Sequence, residues 1–80
     1  VNITYSSQAV KALGRIDAPT RRRIGQGIQG IPQGDIKKLQ GHTALYRLRV
    51  GGWRIVFSYI DAETVLIERI APRGAVYKEV

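Results

Sequence analysis

Cysteine is absent from the sequence, which excludes disulfides and thiolate metal sites and fits a reducing compartment. Histidine occurs once, as His42, so a mechanism built on paired histidines is closed to this chain. No run approaches the roughly 18 apolar residues of a membrane span. The first residues show no charged segment leading into an apolar run and a cleavage site. These absences imply a soluble, cytoplasmic protein with no membrane partner, no metal and no cofactor. Acidic residues are scarce too: 6 Asp and Glu face 13 Lys and Arg, a formal net charge of +7 on 80 residues. So strong a field on so small a chain points to a polyanionic partner. Nine of the 13 basic residues are arginine. The planar guanidinium fork suits bidentate phosphate recognition, whereas a merely soluble surface usually relies on hydrated lysine heads.

What is present reads as one small domain, residues 1–80, burying only about 60% of the surface its unfolded form exposes. VNITY opens the chain as a short strand with Val1, Ile3 and Tyr5 on one face. Ser6 and Ser7 are good helix N-caps, and Ala9, Val10, Leu13 and Ile16 then recur at helical spacing as far as Asp17-Ala18-Pro19. A second helix after Pro19-Thr20 carries Ile24, Ile28 and Ile31 and ends at Pro32 and Gly34. Its glycines, Gly25, Gly27 and Gly30, each weaken it by up to about 1 kcal/mol relative to alanine, so its isoleucine stripe must pack. Arg21-Arg22-Arg23 in the first turn reads as a solvated face. Residues 33–44, with Lys37, Lys38 and His42, read as a loop, and strands follow at 44–50, 53–60 and 64–71. No repeat, linker or low-complexity tract interrupts this order. The sequence β-α-α-β-β-β predicts an α+β fold, with two N-terminal helices on one face of a mostly antiparallel four-stranded sheet.

The stretch LYRLRVGGWRIVF (45–57) carries the chemistry. Gly51-Gly52 between alternating segments predicts a two-residue hairpin, because both central residues can take positive φ. Val50 then pairs with Trp53, Leu48 with Ile55, Arg49 with Arg54 and Arg47 with Val56. One face, with Tyr46, Leu48, Val50, Trp53, Ile55 and Phe57, is core. The other gathers Arg47, Arg49 and Arg54 in a water-facing cluster. Like charges opposed across a sheet are destabilising, so such a cluster implies an anion, with phosphate the natural one. A scattering of basic residues on a solvated sheet face is the plainer account. In the third strand, a two- or four-residue turn after Ile60 puts Arg69 on the arginine face, and a three-residue turn puts Glu68 there instead. Beyond it, Arg73 and Tyr77 stand four residues apart near the hairpin. A tyrosine there is often only an anchor, but nearby cations would favour its phenolate.

The segments KLQGHTALYRLRVGGWRIVF and IERIAPRGAVY together resemble the RelE family of bacterial toxins, within the wider RelE/ParE superfamily. The match covers about residues 36–80 by motif and the helical half by pattern only. The resemblance implies the toxin of a type II toxin–antitoxin system, a ribosome-dependent and metal-independent endoribonuclease that cuts mRNA, with a cognate antitoxin protein, the ribosome and mRNA as partners. It implies that Arg47 and Arg49 lie near the scissile phosphate and that Arg54 stabilises the transition state. Arg73 would then donate a proton or stabilise charge, and Tyr77 would orient or deprotonate the attacking 2′-hydroxyl. Lys37, Lys38, Arg69 and Lys78 are expected to hold the RNA backbone beside them. Some relatives carry lysine at the first two positions. Arginine keeps its proton, so any base role there passes to Tyr77. The turn at Gly51-Gly52 is also shorter than in some relatives. Only three residues follow Tyr77 here, so the C-terminal helix found in parts of the family is expected either to be absent or to lie beyond this sequence. The competing expectation is a ParE-like toxin that inhibits DNA gyrase by binding and performs no RNA chemistry. A third reading is a basic nucleic-acid-binding module without activity.

Overall fold

The computed structural model describes residues 2–39 and 45–72. Along the chain run β1 (Asn2–Tyr5), α1 (Ser7–Gly14), α2 (Ala18–Gln29), β2 (Asp35–Lys38), β3 (Tyr46–Val50), β4 (Trp53–Asp61) and β5 (Thr64–Pro72). Both helix starts are set by side chains that satisfy amides the helix itself leaves open. Ser6 is extended, and its hydroxyl accepts from the Ala9 amide at 3.1 Å. That hydroxyl also donates to the Glu68 carbonyl at 2.7 Å, which ties the α1 cap to β5. Asp17 caps α2 by accepting from the Thr20 amide at 3.1 Å and the Thr20 hydroxyl at 2.9 Å. Proline is at home in a first helical turn, where its missing N–H is no loss. The helix therefore starts at Ala18, ahead of the point expected from Pro19-Thr20.

The sheet has five strands in the order β1-β5-β4-β3-β2, where the sequence pattern gave four. Its β1–β5 pair is parallel, and the other three pairs are antiparallel. The extra strand is β2, in the segment read as a loop. It offers one half-buried apolar residue, Ile36, opposite Leu48, between exposed neighbours. A four-residue strand with one apolar side chain carries no alternation to detect. The open ladder of β3 induces it.

Both helices lie on one face of the sheet, as expected. Ala9, Ile16, Ile24, Ile28 and Ile31 form one buried cluster with Leu48, Ile55, Phe57, Val65, Ile67 and Ile70. α1 packs chiefly on β5 and β1, whereas α2 packs on β3. Gly27 permits the second contact, since a Cβ there would sit 2.6 Å from Val50 Cγ2. Tyr46 stacks on Phe57 with ring centroids 5.6 Å apart, and Tyr59 meets Tyr46 edge-on at 5.6 Å. Trp53 packs against the core cluster. The sheet aromatics therefore serve packing on the helix side and do not form a base-stacking platform. No helix among the described residues is long and apolar enough to cross a membrane.

Candidate functional site

The face of the sheet turned away from the helices is built by the hairpin. Gly51 takes φ +58°, and Gly52 does not enter positive φ. A two-residue loop with glycine in this conformation at its first central position fits a type II′ turn, so one glycine carries the geometric demand, where the sequence pattern suggested two. The resulting register pairs Val50 with Trp53, Arg49 with Arg54, Leu48 with Ile55 and Arg47 with Val56. Strand parity therefore brings Arg47, Arg49 and Arg54 to one face.

The flanking strands extend this face into two rows. One row runs Lys37, Arg47, Val56, Arg69, and the next runs Asp35, Arg49, Arg54, Ala71. Adjacent strands are about 4.8 Å apart, so each row is a short cationic stripe across the sheet. A register shift between Val56 and Phe57 accompanies Arg69 into its row. Because Ile67 and Ile70 both reach the core, the two residues between them turn to the other side. Glu68 and Arg69 thus share the arginine face, a bulged outcome that combines the two registers left open by the sequence. Lys38 pairs with Tyr46, which puts it on the helix face, apart from the cluster. Arg73, Tyr77, Lys78 and His42 lie outside the described residues.

Burial departs from expectation. Arg49 is exposed, but Arg47 and Arg54 retain only 6% and 7% of their accessible surface. The water-facing cluster expected from parity is therefore a partly dry one. Arg47 and Arg54 both lie on interior strands, β3 and β4, flanked by β2 and β5, but strand position alone does not decide burial, since Arg49 on the same strand as Arg47 is exposed. Val56, 1% exposed, forms an apolar floor between Arg47 and Arg69. Burying a cation costs free energy unless a partner compensates. Arg47 Nη2 stands 3.8 Å from Asp35 Oδ1, within ion-pair range but beyond the length of a charge-assisted hydrogen bond. Arg54 and Arg69 also engage neighbouring groups. Sequence reasoning placed Val56 opposite Arg47, as observed, but missed Asp35 and Ala71 as members of this face. The half-buried Ile36 pairing with Leu48 was the only available signal for Asp35, and it rests on one residue.

Chemically, among the described residues, five cations (Lys37, Arg47, Arg49, Arg54, Arg69) outnumber the carboxylates Asp35 and Glu68 on this face. Such a surface suits a phosphodiester, and its partly dry floor strengthens each electrostatic contact. Among the described residues, no group of three His, Cys, Asp or Glu side chains is placed to hold a metal ion. A cleft of about 220 Å³, lined by Ala12, Arg15, Ile16, Trp53, Ile70 and Pro72, lies on the helix side, away from the arginines. Its one arginine, Arg15, is not part of the Arg47, Arg49 and Arg54 face, and the cleft does not belong to this site.

Comparison with known proteins gives a consistent picture. A family model described as the ParE toxin of type II toxin–antitoxin systems, parDE, matches residues 3–77. The toxin RelE3 of Methanocaldococcus jannaschii is 27% identical over 85 residues, covering 96% of each chain. Among solved structures, the RelB–RelE antitoxin–toxin complex from Methanococcus jannaschii matches with TM-score 0.76 at 26% identity, over 95% of this chain and 96% of that one. The archaeal RelE–RelB complex from Pyrococcus horikoshii OT3 matches with TM-score 0.74 at 27% identity, over 92% and 96%.

Proposed function

The chain belongs to the ParE toxin family of type II toxin–antitoxin systems, and from its likeness to RelE toxins we propose that it is a ribosome-dependent endoribonuclease cutting mRNA at an arginine-held phosphate. The observation that carries this reading is the Arg49–Arg54 pairing beside Arg47 on the face opposite the helices. A sheet this small gains nothing in stability from opposed cations. A phosphate among them turns that repulsion into binding.

In this reaction a 2′-hydroxyl oxygen attacks the adjacent phosphorus, and the bond from phosphorus to the 5′-oxygen breaks. The products are a 2′,3′-cyclic phosphate and a free 5′-hydroxyl. Negative charge grows on the non-bridging oxygens at the transition state, where preorganised cations contribute most. Arg54, anchored beside the small Ala71, is the candidate for that role. Arg47 and Arg49 fix the phosphate, while Lys37, Arg69 and Lys78 hold the neighbouring backbone. Tyr77, as phenolate, accepts the hydroxyl proton. Arg73 stabilises the leaving oxygen through charge, since arginine keeps its own proton, and water supplies the proton that this oxygen takes up. The roles of Arg73 and Tyr77 rest on the resemblance alone. The partner is a cognate antitoxin, supported by the relatives found in RelB–RelE complexes.

The ParE description of the matching family favours a second reading, gyrase inhibition by binding. Brief induced expression separates the two. Prompt translation arrest with cut transcripts supports the nuclease, whereas filamentation with stalled replication and intact transcripts supports the gyrase reading. Arg54→Ala and Tyr77→Phe should each relieve toxicity while the circular dichroism spectrum stays native. Full toxicity in both folded variants removes the proposed site.

A further inference from the structure

Asp35 joins the arginine face through a strand that sequence patterning does not reveal. Its Cα partner is Arg49, yet its carboxylate approaches Arg47, one diagonal step away. The two ends of this pair differ sharply. The Arg47 side chain is 7% exposed, whereas that of Asp35 is 48% exposed. At 3.8 Å the contact is an attraction without a close hydrogen bond, which is the kind of pair a better acceptor displaces. Asp35 also sits on β2, an edge strand of the sheet, so its side chain can swing to solvent without disturbing the core.

We propose that Asp35 is a displaceable internal counter-ion, holding Arg47 in the free protein at the place an incoming phosphate takes. This rests on the phosphate-site reading above and adds a regulator of its affinity. In the free chain Asp35 neutralises part of the cationic row and keeps the Arg47 guanidinium directed along the sheet. On binding, a phosphate oxygen replaces the carboxylate, and Asp35 turns outward. Asp35 therefore acts through Arg47 as a positioning residue, and it opposes binding while supporting the unbound fold.

Those two effects have opposite signs, which separates this role from a purely structural one. The test uses the full chain as wild type, Asp35→Asn and Asp35→Glu, with inorganic pyrophosphate and a short 2′-O-methyl RNA as probes. Asp35→Asn should melt at a lower temperature than wild type in low salt, yet bind both probes more tightly, by up to about fivefold. Asp35→Glu should return both quantities toward wild type. The Arg47 Nε–Hε resonance should shift on Asp35→Asn in the direction that pyrophosphate shifts it in wild type. Unchanged or weaker binding by folded Asp35→Asn overturns the proposal. If the exchange is seen but no mRNA is cut on ribosomes, the counter-ion role stands and the nuclease reading falls. Retained cleavage with weaker Asp35→Asn binding has the reverse meaning.

Discussion

Arg49 and Arg54 face one another across the hairpin, and what each contributes depends on its surroundings. Arg49 is exposed, and its stem is free to bend away from its neighbour. Arg54 is only 7% exposed and has no such freedom, so its charge acts from a fixed position in a poorly solvated place. That makes Arg54 the better electrostatic anchor and Arg49 the better probe of repulsion. Replacing Arg49 by threonine should raise stability by roughly 0.2–1 kcal/mol at low ionic strength, since a like-charge pair is removed. Urea titrations in low and high salt check this, because screening should erase the gain. The parity that joins these arginines was legible in the sequence, because alternation and a two-residue loop leave no slack in register. The burial of Arg47 and Arg54 was not legible, because alternation fixes which face a side chain takes and not how its neighbours on that face cover it. A second side-chain prediction concerns Asp17. Hydrogen bonds from the Thr20 hydroxyl and amide lower its pKa below the ordinary aspartate value. A carboxylate with a depressed folded pKa stabilises above its unfolded pKa and loses that contribution as acid protonates it. Asparagine caps nearly as well. Asp17→Asn should therefore match wild type near neutrality and lose less stability below about pH 4, as urea unfolding across that range would show.

α2 and β2 show how far local pattern reaches. The isoleucine stripe announced α2, and its three glycines looked equally costly, although Gly30 proves to be the C-cap. The structure separates them. A Cβ at Gly25 meets nothing within 4 Å, while one at Gly27 meets Val50 Cγ2 at 2.6 Å. Gly25→Ala should stabilise the protein by up to about 1 kcal/mol through helix propensity. Gly27→Ala gains the same propensity but forces α2 away from β3, an overpacking cost of about 1–3 kcal/mol, so the net effect should be destabilising. Thermal denaturation of the two variants side by side tests the assignment, and equal shifts would contradict the close helix–sheet contact. β2 is the opposite case. Asp35, Lys37 and Lys38 are exposed, and one isoleucine does not make a pattern. What calls for a fifth strand is the otherwise unpaired edge of β3. The bulge at Glu68 and Arg69 was invisible for the same reason, since it reconciles the Ile67 and Ile70 core contacts with the hairpin register.

Taken together, the molecule separates packing from charge. The helix side holds the apolar cluster and the aromatic rings, and the opposite side of a sheet only five strands wide holds the cationic rows. This division explains how a chain of net charge +7 keeps a continuous core while presenting a surface for a polyanion. An acidic segment of a partner protein would find an electrostatic complement in these rows. The most direct test maps the 5′ ends of mRNA on translating ribosomes incubated with the purified protein, beside free mRNA and beside Arg54→Lys. The account predicts new 5′-hydroxyl ends on ribosome-bound message, far fewer on free message, and a loss of roughly 100-fold or more in rate for Arg54→Lys, because an ammonium cannot replace the fixed guanidinium fork. Uncut message on ribosomes with wild-type protein, or undiminished cutting by Arg54→Lys, would contradict it.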